Sequence, residues 1–306
     1  MAAIRPGAIM AAIGDFKDTA PFHVLEAPAQ RVPFVFNSPH SGRVYPKRFL
    51  AMARLDAETI RRSEDCYVDE LFSGAAAALG APMLAADFPR AYLDVNREPW
   101  ELDPRMFAEP LPAFANIRSP RVAGGLGTIP RLVGEGMEIY GRRLPLAEAI
   151  ERVEHIYKPY HECLKRLVMR THARFGQAVL VDCHSMPASI RIGDGGMRPD
   201  FIVGDRFGAS ASSALSEHAI RLLTSLGYTV AHNKPYAGGF ITEHYGRPAR
   251  GLHALQIEIN RGLYMDEQTY RRTDRFVALA NDLTRFAVAL ATLPIQNDRP
   301  MPLAAE

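Results

Sequence analysis

Cysteine is scarce in this chain: Cys66, Cys163 and Cys183 are the only three among 306 residues, and none stands in a CxxC spacing. So few, and an odd number, exclude a disulfide framework and read as reduced thiols of a cytoplasmic protein. Excess charge of either sign is also missing. Lys and Arg number 36 against 34 Asp and Glu, a formal net charge of +2. With no basic run interleaved with aromatics, there is no electrostatic case for nucleic acid as a partner. Long apolar runs are absent as well. The longest uncharged stretch, residues 71–86, contains Gly74, Gly80 and Pro82, so no bilayer span and no membrane partner are expected. The first twelve residues hold one arginine and a weak apolar run cut by Gly14-Asp15, so a secretory signal is not expected. Neither a GxSxG elbow nor a phosphate-binding GxxxxGK[ST] or GxGxxG motif occurs.

What is present is ordinary for a soluble enzyme: 47% hydrophobic and 23% charged residues. Residues 33–37 and 83–86 read as short strands, as do 91–95, 178–183, 200–203, 228–232 and the segment around Glu258. Helical spacing joins Val68, Leu71, Phe72, Ala75 and Leu79, then the stretch from Leu146 to Val168 with a kink at Pro159, then Leu215 to Leu226. A last helix is expected from about Gln268 to Leu293. Alternating β and α signals predict an α/β fold with a mixed, largely parallel central sheet and helices on both faces. Residues 1–32 read as a loose arm, 33–293 as one catalytic domain, and 294–306 as a tail. Prolines and glycines crowd residues 97–140, which is read as an ordered excursion covering an active site.

Several short apolar runs stop on polar residues. Residues 178–185 end in Asp182-Cys183-His184-Ser185, residues 33–42 in Asn37-Ser38-Pro39-His40-Ser41-Gly42, and residues 255–261 carry Gln256, Glu258 and Asn260. Two histidines and a glutamate delivered by strand ends suit a zinc hydrolase. Gln256, Glu258 and Asn260 share one strand face. Glu258 there is either a desolvated general base or a group on the wet face of an edge strand. His40 is a ligand candidate or a turn residue. His184 has Asp182 and Ser185 as neighbours able to orient its second ring nitrogen. Glu64 and Asp65 stand ahead of a helix, either as ligands or as caps. Arg97 either clamps a substrate carboxylate or pairs with Glu98 or Glu101. His155, His161 and His172 are placed on the solvated side of their helix.

Together with Glu64-Asp65-Cys66-Tyr67-Val68-Asp69-Glu70-Leu71, Asp94-Val95-Asn96-Arg97 and Gly238-Gly239-Phe240-Ile241-Thr242-Glu243-His244-Tyr245-Gly246, these segments resemble the N-formylglutamate amidohydrolase family over roughly residues 33–290. That family is similar to zinc carboxypeptidase and aspartoacylase hydrolases. The resemblance implies a hydrolase-like mixed sheet and one catalytic Zn²⁺ per chain, other divalent metals being admissible. It implies His40, His184 and Asp65 as metal ligands, with Glu64 competing for the third place. Glu258 is implied as the catalytic carboxylate, and Arg97 as the oxyanion- and substrate-binding arginine. Asn96, His244, Arg247 and Arg250 are candidates around a small acidic N-acyl amino acid. The chain departs from the wider carboxypeptidase group at one point: Arg43, not a glutamate, stands three residues after His40. The expected activity is zinc-dependent cleavage of the amide of N-formylglutamate. A same-fold metallohydrolase acting on another N-acyl or peptide-like substrate is the alternative, followed by a metal-binding protein without catalysis.

Overall fold

A computed structural model describes residues 20–134, 136–193 and 196–294. Seven strands form one sheet: β1 (Phe22–Leu25), β2 (Phe34–Ser38), β3 (Met83–Ala86), β4 (Ala178–Met186), β5 (Phe201–Gly204), β6 (Val230–His232) and β7 (Leu252–Asn260). Their spatial order is β1-β3-β2-β4-β7-β5-β6. β2, β4 and β7 run parallel, β5 runs antiparallel to β7, and β6 is parallel to β5. The mixed, mostly parallel sheet is therefore the expected one. As interior strands, β2, β4 and nearly all of β7 are buried; β2 and β4 open on apolar runs, whereas β7 alternates apolar and polar residues from Leu255 on.

Two compact units divide the chain. One takes the segment ending at Val24, Ser38–Tyr67 and Leu84–Leu164; the other takes Leu25–Asn37, Val68–Met83 and the segment beginning at Lys165. In the second unit the amphipathic helices Val68–Leu79, Ser213–Ser225 and Phe276–Leu290 bury their apolar stripes, for example Leu71, Phe72, Leu215, Leu223, Leu283 and Phe286. In the first unit the fully buried Arg152 donates to the Tyr92 carbonyl at 3.0 Å, the Tyr140 hydroxyl at 2.8 Å and Glu148 at 3.0 Å. Its guanidinium lies 4.0 Å from the Tyr92 ring centre, so ion pair, hydrogen bonds and cation–π contact together offset its burial.

Several expected elements differ. Residues 22–25, placed in a loose arm, form β1, whose alternating burial suits a half-exposed strand. Residues 91–95 form turns, because Asp94 turns inward to side-chain partners instead of joining the sheet. A π turn over Val153–Tyr157 stands between the Leu146–Arg152 and Lys158–Phe175 helices, just ahead of Pro159. Pro159 therefore continues a helix already under way, and the wider turn before it is where the hydrogen-bond ladder adjusts to the N–H that proline lacks. The last helix starts at Phe276, since residues 266–272 are taken by an Asp266 turn and by a two-stranded ribbon of Met265–Asp266 and Arg271–Arg272. Among the described residues of 97–140 there are a 3-10 turn at Pro104–Met106, one helical turn at Pro120–Ala123 and isolated bridges such as Glu101 with Asn116, with Leu102, Met106, Phe107 and Ile129 buried. Among the described residues no helix is long and apolar enough to cross a membrane.

Candidate active site

The carboxyl ends of β4 and β7 bring polar side chains onto one sheet face. β4 continues through His184 to Met186 and does not stop before it. In the parallel register Asp182 lies opposite Gln256, and His184 opposite Glu258; on the other side Asn37 lies opposite Asp182. Registered partners share a face, so His184 and Glu258 are neighbours one row beyond Asn37, Asp182 and Gln256. Asn37 Nδ2 donates to Asp182 Oδ1 at 2.7 Å, and His184 Nε2 donates to Asp182 Oδ2 at 2.9 Å. Of the two neighbours able to orient His184, Asp182 takes the role, being two residues away on the same face. Ser185 points elsewhere and accepts from Arg261 Nε at 3.0 Å. Gln256 Nε2 donates to Glu258 Oε1 at 2.8 Å. β7 is an interior strand and Glu258 is 7% exposed, which removes the wet-edge reading.

His40 is set by a turn that requires glycine. A Cβ at Gly42 would lie 2.1 Å from the Phe88 carbonyl oxygen, so any other residue would force the two loops apart. The Asp65 backbone N–H donates to the His40 carbonyl at 3.0 Å, tying the two segments together. His40 Nε2 donates to Asp94 Oδ1 at 2.8 Å, while His40 Nδ1 stands 3.4 Å from Asp65 Oδ2. Asp94 also accepts from Arg90 Nε at 3.0 Å and from the Asn96 backbone N–H at 2.8 Å. Burial pushes the Asp94 carboxyl up, but Arg97, His40 and Arg90 outweigh it and hold it well below the usual carboxylate range.

His40, Asp65 and His184 are all buried, and each offers a ligand atom within 4.8 Å of the others, so the group can hold a metal ion. The donor set fits zinc. A tetrahedral ion with bonds of about 2.0–2.1 Å spaces its ligands roughly 3.3 Å apart, close to the 3.4 Å between His40 Nδ1 and Asp65 Oδ2. Each imidazole gives its Nε2 proton to a carboxylate, which leaves Nδ1 as the nitrogen with the lone pair. Carboxylate-oriented imidazoles are the usual support of metal-binding histidines. Three protein ligands are the number that catalytic zinc sites use, the fourth position there going to water or substrate.

Glu64, the competitor of Asp65, turns to another network. It accepts from the Tyr45 hydroxyl, from Arg61 Nε at 3.2 Å and from Cys66 Sγ at 3.1 Å. Arg97 is buried, donating from Nε to the Leu126 carbonyl and from Nη1 to the Asn96 carbonyl, both at 2.8 Å. Its acid neighbour is Asp94, with Nη2 at 3.6 Å, rather than Glu98 or Glu101. Burial depresses the Arg97 guanidinium, with Asp94 opposing and Arg90 adding, to about 10, so it stays charged at neutral pH. Asn96 is buried beside it. His244 and Arg247 are exposed. His244 stacks on Phe240, and Arg247 Nη1 donates to the Glu243 and Gly246 carbonyls at the end of the Phe240–Tyr245 helix. His161 is not on a solvated side: it contacts the Val95 carbonyl at 2.8 Å and packs on Tyr157. Cys183 faces away from His184 within a buried strand, and burial followed by the Asp182 charge pushes its thiol up, which is wrong for a nucleophile.

Asp94 as the partner of His40 was not assigned from sequence, and nothing in a fifty-four-residue separation signals it. Asn37 and Gln256 were visible only as members of polar strand ends. A mixed α/β sheet with a buried two-histidine, one-aspartate group, and with Glu258 opposite His184 in register, is an arrangement that suits a metal-assisted hydrolase. A family model for N-formylglutamate amidohydrolase matches residues 32–265, and the chain belongs to that family. An N-formylglutamate deformylase of Pseudomonas putida is 31% identical over 254 residues, 81% of this chain and 88% of that protein. One from Pseudomonas aeruginosa is 29% identical, covering 80% and 86%. The crystal structure of an N-formylglutamate amidohydrolase from Ralstonia eutropha JMP134 superposes with a TM-score of 0.84 at 36% identity, covering 89% of this chain and 97% of that one.

Proposed function

We propose that the chain is a zinc-dependent amidohydrolase that converts N-formylglutamate and water to glutamate and formate. The observation that carries this reading is the buried His40, Asp65 and His184 group, with both imidazoles oriented by carboxylates, in a chain of this family. His40, His184 and Asp65 would hold the ion, Glu64 being engaged by Tyr45 and Arg61. A bound divalent ion supplies Lewis acidity to the formyl carbonyl and lowers the proton affinity of the attacking water.

The chain's own residues perform the remaining steps. Glu258 takes a proton from the water as its oxygen adds to the formyl carbon, and returns it to the amide nitrogen as the C–N bond breaks. Arg97 faces the negative charge of the substrate, through the developing oxyanion or a carboxylate, with Asn96 beside it. His244, exposed on the Phe240–Tyr245 helix, and Arg247, exposed just after it, are the candidates for the second carboxylate.

The test is formate release from N-formylglutamate by protein stripped with a chelator and reloaded with zinc, beside N-acetyl and N-succinyl amino acids. Loss on stripping and recovery on reloading, with the formyl compound turned over fastest, is the expected result. Turnover unaffected by complete metal removal would sink the zinc reading, and faster turnover of another acyl compound would replace the substrate.

A further inference from the structure

Gln256 is the link between two parts of one unit. Its Nε2 donates to Glu258 Oε1 at 2.8 Å, and its Oε1 accepts the Gly239 backbone N–H, also at 2.8 Å. A backbone N–H can only donate, so the oxygen end of the amide must face Gly239 and the NH2 end must face Glu258. The amide orientation is dictated by its partners. Gln256 is 5% exposed and Glu258 7%, on an interior strand, so swinging either group out of this arrangement leaves a buried polar atom unsatisfied. The turn behind Gln256 is fixed in its own right. Gly238 has a φ of 120°, and a Cβ there would lie 2.4 Å from Thr242 Oγ1. Thr242 Oγ1 donates to the Gly239 carbonyl at 2.9 Å.

We infer that Gln256 is a positioning residue for the hydrolysis: it pins one oxygen of the Glu258 carboxylate and ties its aim to the Gly238-Gly239 turn. The inference rests on the proposed reading of Glu258 as the proton carrier. A carboxylate that collects a proton at water and delivers it at nitrogen works over short, directed distances. A displacement of about 1 Å costs such a step on the order of a hundredfold.

Two substitutions separate aiming from packing. Gln256→Leu removes both hydrogen bonds. Gln256→Glu keeps the acceptor for Gly239 but puts a carboxylate oxygen where the donor stood. Two facing carboxylates repel or share a proton, and either disables a base. Both variants are assayed as zinc-loaded full chains for kcat and KM, with zinc per chain and thermal melting measured alongside. Expected is a fall in kcat of about 10- to 100-fold in both, with KM and zinc content near wild type. In a Glu258→Gln background neither change should lower kcat further, because the two residues act as one device. Near wild-type kcat in Gln256→Glu would reduce Gln256 to a support for the turn and overturn the inference. A further loss of similar size in the Glu258→Gln background would overturn it too. Failure of the functional reading looks different: the wild-type chain would then not turn over N-formylglutamate. The same variant ratios would be read on whichever acyl amino acid it does hydrolyse, and turnover of none would remove both claims.

Discussion

Replacing Asp182 by asparagine keeps the shape of the Asn37–Asp182–His184 row and removes one negative charge. Asp182 accepts twice, from Asn37 at 2.7 Å and from His184 Nε2 at 2.9 Å. An amide has one oxygen. Kept toward His184, it turns its NH2 toward Asn37, whose own amide must flip to accept. The histidine tautomer survives, but a charge-assisted bond becomes a neutral one, a loss of roughly 1–2 kcal/mol. At 1.36 kcal/mol per decade that is about 5- to 30-fold, which overlaps the lower part of the roughly 10- to 100-fold expected for losing an orienting partner of a metal ligand. Zinc should therefore bind Asp182→Asn about 10- to 30-fold more weakly. A competition titration against a chromophoric chelator, at fixed pH and salt, measures this. Asp94→Asn provides the contrast. Arg90 and Arg97 would then face a neutral group at a fully buried position, so the melting temperature of the metal-free protein should fall further there than in Asp182→Asn. Zinc affinity of Asp182→Asn within twofold of wild type would refute the orientation argument, or His184 as a ligand.

Glu258→Gln should lose about 10²–10⁴-fold in rate while keeping its zinc; loss of the metal instead would make Glu258 a ligand. Arg97→Lys cannot reproduce the paired bonds to the Leu126 and Asn96 carbonyls, so kcat/KM for N-formylglutamate should fall markedly although the charge is kept. N-formylglutamine should be a much poorer substrate, and equal kcat/KM for the two compounds would remove the acidic side chain from the specificity argument. Acid stability follows from two carboxyls that are neither proposed metal ligands nor the proposed base. Burial pushes Asp103 and Asp205 up, but Arg105 and Arg131 outweigh it at Asp103, as Ser216, Asn233 and Gly208 do at Asp205, and both end below the usual range. Their folded forms bind protons less readily than the unfolded chain, so their contribution is complete above about pH 4 and is lost as pH falls through the depressed values. Urea midpoints should decline below that pH, and less steeply in Asp103→Asn and Asp205→Asn. A slope unchanged by both substitutions would refute the assignment.

The sequence alone determined the strands and helices that carry the site, because their burial leaves a local record. Apolar runs mark β2 and β4, alternation of apolar and polar residues marks β7, and a spacing of three and four marks the Val68–Leu79 and Ser213–Ser225 helices. It also pointed to the family, through short polar segments such as those that end these strands, and singled out His40, Asp65 and His184, which the fold brings together. Where such a record is missing, the reading failed. Residues 91–95 look like a strand, but their polar member Asp94 is held by side chains far along the chain, and β1 is too short and half-exposed to announce itself. Pairings were decided only by the tertiary structure. The choice between Asp182 and Ser185 as the partner of His184 is settled by which face of β4 each occupies and by Arg261 reaching Ser185. That His40 meets Asp94, and that Glu258 is held by Gln256 from the Gly239 turn, depends on loops separated by many residues coming together. Hydrogen bonds of this kind act over about 3 Å in space and leave no periodicity in the chain, so only the folded molecule specifies them.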